Sequence, residues 1–383
     1  MVVSSSAVRL ILMVALVMLA GCGEEPKVDA SLDLTRLLGG DSDGGFSQAL
    51  AVREFSFPAD HAAHGDFRNE WWYLTGNLQG EKGRRFGYQV TFFRTGLIPP
   101  RDAGPEDMMG TASAWVVENM WMAHGAVTDL DAKTHVADQR FSRSSPGLAG
   151  AQSSPFKVWL DDWQLLGDGD NFPWTLRLGS QEFALELELE PLKPMILQGD
   201  QGLSRKSDTP GNASYYYSYT RLATSGKLIL AGQEHEVQGL SWFDREWSTS
   251  TLDRDQSGWN WFSLQLDRGE EMMFFQLLDL EGNPDGNSQG SWIAGNGAKT
   301  TLSGESIQLK SLEDWQSPYG QEYPVRWQLD YPQGGESWII AAPVEGQFMD
   351  LAVRYWEGAV EVFDRRSMKK IGHGYLEMTR TQR

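Results

Sequence analysis

The stretch from His61 to Arg94 gathers side chains able to do chemistry within one short span. It holds His61, His64 and Glu70, then Trp71, Trp72 and Tyr73, and it ends on Arg94. Two more clusters of charged and aromatic residues follow, Trp242-Phe-Asp-Arg-Glu-Trp247 and Gly258-Trp-Asn-Trp-Phe262. A carboxyl group set among apolar rings loses hydration, so its pKa rises and it can donate a proton. An indole or phenol face stabilises a cation, including one formed on an alkene. Asp244 is the candidate acid on this reading, with Glu70 and Tyr217 as further catalytic candidates. Trp242, Tyr217, Trp259 and Trp72 are expected to line the pocket. The same residue types admit a structural alternative. Glu70, Arg94, Asp244, Arg245, Glu246 and Glu357 could pair as a buried ionic network, because buried charges must be compensated.

The candidate ligand-binding set is wider than these. It adds His64, Tyr88, Arg94, His124 and Tyr215 from the first half of the chain. From the second half it adds Arg245, Glu246, Trp261, Trp356 and Glu357, beside Trp72, Trp242 and Trp259. His64 and His124 could ligate a metal together with Glu70, but the spacing from His61 to His64 to Glu70 fits no zinc signature. Neither a metal nor a cofactor is expected. The nucleophile elbow Gly-x-Ser-x-Gly does not occur, which speaks against a Ser-His-Asp hydrolase.

These residues need strands to position them. In Phe86-Gly-Tyr-Gln-Val-Thr-Phe92 every second residue is apolar, as for one buried face of a strand. Glu70, Trp72 and Leu74 would share one face of the strand before it. Phe183-Ala-Leu-Glu-Leu-Glu-Leu-Glu190 alternates most cleanly, with Leu185, Leu187 and Leu189 inward and the glutamates in water. Tyr215, Tyr217 and Tyr219 share a face. Trp242, Asp244 and Glu246 fall on one side of their strand, and Phe243, Arg245 and Trp247 on the other. A strand region is expected from Thr111, with Trp115, to Thr128. Arg140 to Ser154 and Leu192 to Gly211 read as loops. The turn-rich segment Glu281 to Asn287 lacks calcium-loop spacing. The high glycine and aromatic content and the scarcity of helical periodicity predict an all-β protein of two domains.

The amino terminus reads as a signal peptide over residues 1–21, with an apolar run too short for a permanent span. Leu19-Ala20-Gly21-Cys22 resembles a bacterial lipobox, which implies lipidation of Cys22, the sole cysteine. Gly23 after Cys22 resembles the arrangement in lipoproteins of the outer membrane that face the periplasm. Residues 22–50 read as a flexible tether, 51–250 as the amino-terminal domain and 251–383 as the carboxy-terminal one. No internal disulfide is available to a chain with one cysteine. The net charge of −19 disfavours nucleic acid as a partner, and it puts membrane attachment on the acyl anchor at Cys22 rather than on a basic patch.

Further motifs complete the pattern: Glu70-Trp-Trp-Tyr-Leu-Thr-Gly76, Phe86-Gly-Tyr-Gln89, Tyr215-Tyr-Tyr-Ser218, Tyr355-Trp-Glu-Gly358 and Gly372-His-Gly-Tyr-Leu-Glu377. With Trp242–Trp247 and Gly258–Phe262 they resemble the AttH / carotenoid 1,2-hydratase family, also called hydroxyneurosporene synthase or predicted secreted hydrolase. The resemblance implies two lipocalin-like antiparallel β-barrel domains packed side by side. It implies an aspartate at the Asp244 position that protonates an isolated alkene in the hydratase branch. That branch carries a histidine and a tryptophan where this chain has the tyrosines of Tyr215–Tyr217. The fuller EWWYLTG and DREW forms are closer to the AttH side. The functions implied are binding or carriage of a hydrophobic small molecule or lipid, in company with ABC transporter subunits, or a hydratase- or hydrolase-like activity on a lipophilic substrate.

Overall fold

The computed structural model describes residues 44–100, 117–144, 147–169 and 171–380. The expected signal peptide, Cys22, most of the expected tether and Trp115 lie outside the described residues. The described part is all-β, with two large antiparallel sheets of lipocalin-like form, the first nearly closed into a barrel and the second a half-barrel.

The first sheet begins with β1 (Asn69–Gln79), β2 (Arg85–Gly96), β3 (Asn119–Asp129) and β4 (Thr134–Arg143). It continues with β5 (Ala149–Ser153), β6 (Phe156–Leu160), β7 (Trp163–Asp168), β8 (Asn171–Gly179) and β9 (Phe183–Pro191). The short β10 (Ile196–Leu197) and β11 (Leu203–Arg205) precede two long strands, β12 (Ala213–Leu230) and β13 (Gln233–Ser250). The spatial order is β4-β3-β2-β1-β13-β12-β9-β8-β7-β6-β5, and β10 and β11 both pair with β12.

The second sheet takes β14 (Gln256–Leu266), β15 (Glu271–Asp279), β16 (Gln289–Ile293), β17 (Lys299–Ser303) and β18 (Gln308–Gln316). It then takes β19 (Glu322–Tyr331), β20 (Glu336–Ala341), β21 (Phe348–Asp350), β22 (Arg354–Asp364) and β23 (Lys370–Arg380). Its order is β17-β16-β15-β14-β23-β22-β20-β19-β18, with β21 on β22.

Local chemistry explains the pieces that hold the site. In β9 the leucines are buried and Glu186, Glu188 and Glu190 are exposed, so the alternation read from sequence is the alternation of the sheet. Strands β12 and β13 meet at Ala231-Gly232, both at positive φ (50° and 76°), as a tight hairpin turn requires. Two loop expectations need correction. The Arg140–Ser154 segment carries the end of β4 and all of β5, since its small side chains still allow extended pairing. The Leu192–Gly211 segment contributes β10 and β11, which cap the edge of β12.

Each sheet has its own core. The first is filled by Trp72, Trp163, Trp174, Phe243 and Trp247 among others, and the second by Phe262, Trp338, Trp356 and Leu376. A third cluster spans both sheets, with Tyr73, Tyr216 and Trp242 meeting Trp261, Phe275 and Tyr375. Close approach at this seam depends on Gly87 in β2. A Cβ there would lie 2.8 Å from both the Ala359 Cβ and the Tyr375 hydroxyl.

Candidate functional site

Strand parity sorts the chemically active residues into two separate places. Successive residues of a strand point to opposite faces. In β13 the set Trp242, Asp244 and Glu246 faces the second sheet, while Phe243, Arg245 and Trp247 face the barrel interior. The register aligns Tyr73 of β1 opposite Asp244, and Ser218 of β12 on the other flank. It is therefore Trp71, Tyr73 and Tyr216 that join Asp244, and their odd-and-even neighbours Glu70, Trp72, Tyr215 and Tyr217 that do not.

A cavity of about 80 Å³ opens where the two sheets face each other. Its first wall is Trp71, Tyr73, Phe93, Tyr216, Asp244 and Glu246. Its second is Trp259, Trp261, Phe275, Leu277, Tyr355 and Glu377, and Lys206 reaches in from the segment after β11.

Asp244 is buried, with neutral donors around it. Ser218 donates to Oδ1 at 2.5 Å, Trp242 Nε1 to Oδ1 at 2.7 Å and Tyr216 to Oδ2 at 2.6 Å. Trp261 Nε1 donates to the Tyr216 hydroxyl at 3.3 Å, extending the chain across the seam. Loss of hydration dominates over these bonds and lifts the Asp244 pKa to about 7. On the facing wall Glu377 accepts from Trp259 Nε1 at 2.9 Å, and burial lifts it also to about 7. Glu357 lies directly opposite Glu377 in the register of β22 and β23. Tyr73 donates to its Oε1 at 2.5 Å, the Tyr355 hydroxyl also favours its ionised form, and among the described residues Oε2 has no close hydrogen-bond partner. Burial and the neighbouring Glu377 push Glu357 well above the usual carboxylate range. Glu246 differs: it pairs with Lys206 at 3.0 Å and accepts from Ser214.

The second place lies on the opposite face of the same strands, at one end of the barrel. There Glu70 pairs with both Arg94 and Arg245. Burial would raise its pKa, but the two guanidinium groups outweigh that and hold it far below the carboxylate range. Arg94 also donates to the carbonyls of His64 (2.9 Å) and Phe67 (2.6 Å), and Arg245 to that of Ala62 (2.7 Å). Arg245 lies 3.9 Å over the Trp72 ring, and His64 stacks on Trp247 at 3.8 Å. This cluster ties the His61–Phe67 segment to the barrel.

The expectations for individual residues divide accordingly. Asp244, Glu246, Trp259 and Trp261 line the cavity, and Trp242 and Glu357 support it through hydrogen bonds or register. His124 sits behind the wall, its Nδ1 2.9 Å from the Tyr355 hydroxyl, and burial pushes its pKa down to about 3. Tyr217 bonds His61 Nδ1 at 2.6 Å inside the barrel, Tyr215 donates to the Ala51 carbonyl, and Tyr88 meets Ser241. Trp72 and Trp356 are core residues of the first and second sheets. The single ionic network expected from sequence is thus two unlike groupings: Glu70, Arg94 and Arg245 form one, and Asp244, Glu246 and Glu357 belong to the other face. Sequence reading missed Trp71, Tyr73, Tyr216, Lys206, Tyr355 and Glu377. Alternation about Asp244, carried across the β1 and β12 pairings, would have found Tyr73 and Tyr216. Among the described residues no group of three or more His, Cys, Asp and Glu could hold a metal ion.

Comparison with known proteins bears on this arrangement. A crystal structure of an AttH candidate from Nitrosomonas europaea superposes with a TM-score of 0.76 at 31% identity, covering 87% of this chain and 99% of that one. Kievitone hydratase from Nectria haematococca superposes at 0.60 with 13% identity, covering 88% and 98%. CghA in complex with Sch210972 superposes at 0.50 with 12% identity, covering 92% and 98%. The last two establish similarity of fold. No curated protein gives a significant sequence match. The AttH-like family itself matches residues 48–381, a span that takes in both sheets and both walls of the cavity, and the chain belongs to that family.

Proposed function

We propose that the chain binds a hydrophobic small molecule in the crevice between its two sheets. The observation that carries this reading is the enclosure itself: eight aromatic rings and a buried carboxyl, Asp244, converge on one cavity. Apolar cavities with a few polar groups are the usual form of small-molecule sites. The size sets a limit. An apolar cavity of about 150 Å³ accepts benzene, so about 80 Å³ suits one end of a ligand, with the rest lying toward the opening. Trp71 and Trp259 keep accessible surface and mark the side of the cavity toward solvent. Titration with the neutral fluorescent ring compound N-phenyl-1-naphthylamine tests this. Saturable binding, lost in Trp259→Ala, supports the reading; no binding to the folded protein defeats it.

A second reading rests on the state of Asp244. A carboxylic acid with a pKa about 7 is suited to general-acid work near neutrality. Protonation of an alkene by Asp244, cation stabilisation by the Trp261 and Tyr216 rings, and capture by water, whose surplus proton returns to the Asp244 carboxylate, would make a hydratase. The kievitone hydratase likeness is consistent with this. Turnover of an alkene that persists unchanged in Asp244→Asn would remove the acid role. The lipobox-like Leu19–Cys22 supports membrane anchoring as a separate proposal. Mass spectrometry of the peptide containing Cys22 checks it: an unmodified thiol, still joined to residues 1–21, would refute it.

A further inference from the structure

We propose that the ligand of this cavity carries a positive charge on an apolar or aromatic body, with Asp244, Glu357 and Glu377 as its counter-charges. The proposal rests on the reading of the cavity as a ligand site and specifies the chemical class. The argument begins with charge balance. Asp244, Glu246 and Glu377 line the cavity, and Glu357 lies against it opposite Glu377. Among the described residues one cation, Lys206, lines the same space, and Glu246 pairs with it at 3.0 Å. The other three carboxyls meet neutral donors: Ser218, Tyr216 and Trp242 at Asp244, Trp259 at Glu377 and Tyr73 at Glu357. Among the described residues the buried Glu357 Oε2 has no close hydrogen-bond partner, and the Tyr355 hydroxyl acts on the same carboxyl as a further neutral donor. Buried carboxylates call for a cation or else hold protons.

The walls suit a cation as well. Lys206 Nζ already lies 4.1 Å over the Phe275 ring, so the rings of this cavity accept a positive group. Trp71, Trp259 and Trp261 offer further indole faces, which attract cations most strongly among side chains. The net charge of −19 draws cations to the protein from a distance.

Protons are the alternative to a cation as the balance for these carboxyls. Burial raises Asp244 and Glu377 to about 7 and Glu357 above the usual range. Tyr73, Tyr216, Tyr355 and Tyr375 are pushed up by burial and His124 down to about 3, so these stay neutral. Lys206 and Glu246 face the same space as an ion pair at 3.0 Å. An entering cation favours the ionised carboxyls, lowers their pKa and expels protons. Affinity for the cation therefore rises with pH through the range in which these carboxyls give up their protons.

The test uses the folded chain and two probes: berberine, a flat aromatic with a permanent charge, and neutral N-phenyl-1-naphthylamine. Fluorescence titrations run from about pH 5.5 to 8.5, with proton release measured in weak buffer. Berberine should bind roughly tenfold or more tightly at the upper end, since one linked unit of pKa is a factor of ten. Protons should be released near neutrality, and the neutral probe should show neither effect. Glu377→Gln should remove much of the pH gain, while Glu188→Gln on the outer face of β9 should keep it. Berberine binding that is absent or independent of pH, while the neutral probe binds, overturns the proposal and leaves the hydrophobic site standing. Failure of both probes overturns both readings. Proton release by the unsubstituted protein decides the matter even if Glu377→Gln does not fold.

Discussion

Glu70 and Asp244 stand on neighbouring strands of one sheet, both almost wholly buried, and they exist in opposite electrostatic circumstances. Glu70 faces the end of the barrel and meets two guanidinium groups. Asp244 faces the seam and meets hydroxyl and indole donors. The two faces differ by a single step of parity along each strand. That step turns a carboxylate fixed as an anion into one that titrates near neutrality. The first arrangement is a tie that fixes a segment; the second is a reserve of protons facing a cavity. Burial alone does not tell structure from function here, whereas the charge of the neighbours does.

The contrast is broken most severely at the paired site. Glu70→Gln leaves Arg94 and Arg245 buried without an anion. Removing one partner of a buried pair costs on the order of 3–5 kcal/mol, so chemical denaturation should show a large loss of stability. A loss below about 1 kcal/mol would mean that solvent reaches the guanidinium groups after the substitution.

The pH dependence separates the two faces by sign. Glu70 has a folded pKa below its ordinary value of 4.5, so its contribution is present above that value and lost as pH falls through the acid range. Asp244 has a folded pKa of about 7 against an ordinary 3.8. Its folded form binds the extra proton in between, so stability declines as pH rises from about 4 to 7, by up to roughly 1.4 kcal/mol per pH unit. Asp244→Asn should flatten that decline, and Glu377→Gln should flatten it further. Denaturation midpoints across this range check both. A profile of Asp244→Asn that keeps the full slope would assign it to other groups.

The parity that governs all this was legible in part from sequence. Alternation in Phe183–Glu190 and in Trp242–Trp247 is plain because large apolar and charged residues alternate there. The motifs with Asp244, Trp259 and Trp261 drew attention to residues that do line the cavity. Glu70-Trp-Trp-Tyr73 misled, because aromatic residues occupy both faces of β1 and local pattern does not say which face meets the second sheet. That choice is made by the pairing of Tyr73 with Asp244, a contact between distant parts of the chain. Glu377 was hidden for a similar reason: Gly374-Tyr-Leu-Glu377 acquires its neighbours Glu357 and Trp259 only when β22 and β14 flank β23.

A finer test concerns the indole that meets Glu377. Trp259 Nε1 donates to it and favours the ionised form. Trp259→Phe keeps a ring at the wall but removes this donor. The pKa of Glu377 should rise, at a cost of about 1.5–3 kcal/mol to the ionised form. Infrared spectroscopy of the protonated carboxyl band should show it persisting to higher pH than in the unsubstituted protein. An unchanged band would place the indole bond outside the control of Glu377.

The smallest effect is expected where a carboxylate belongs to neither grouping. Glu188 lies on the exposed face of β9, while Leu187 and Leu189 on either side are buried. Water already solvates its charge, so Glu188→Gln should change stability by no more than about 0.5 kcal/mol. It should also leave the pH profile as it was, since the side chain faces water on the exposed side of β9. Thermal melts at acid and neutral pH give the comparison. A pH-dependent change in this variant would mean that the general field of the acidic protein, rather than the local partners of Glu70 and Asp244, governs the titration. The contrast between the two faces would then lose its cause.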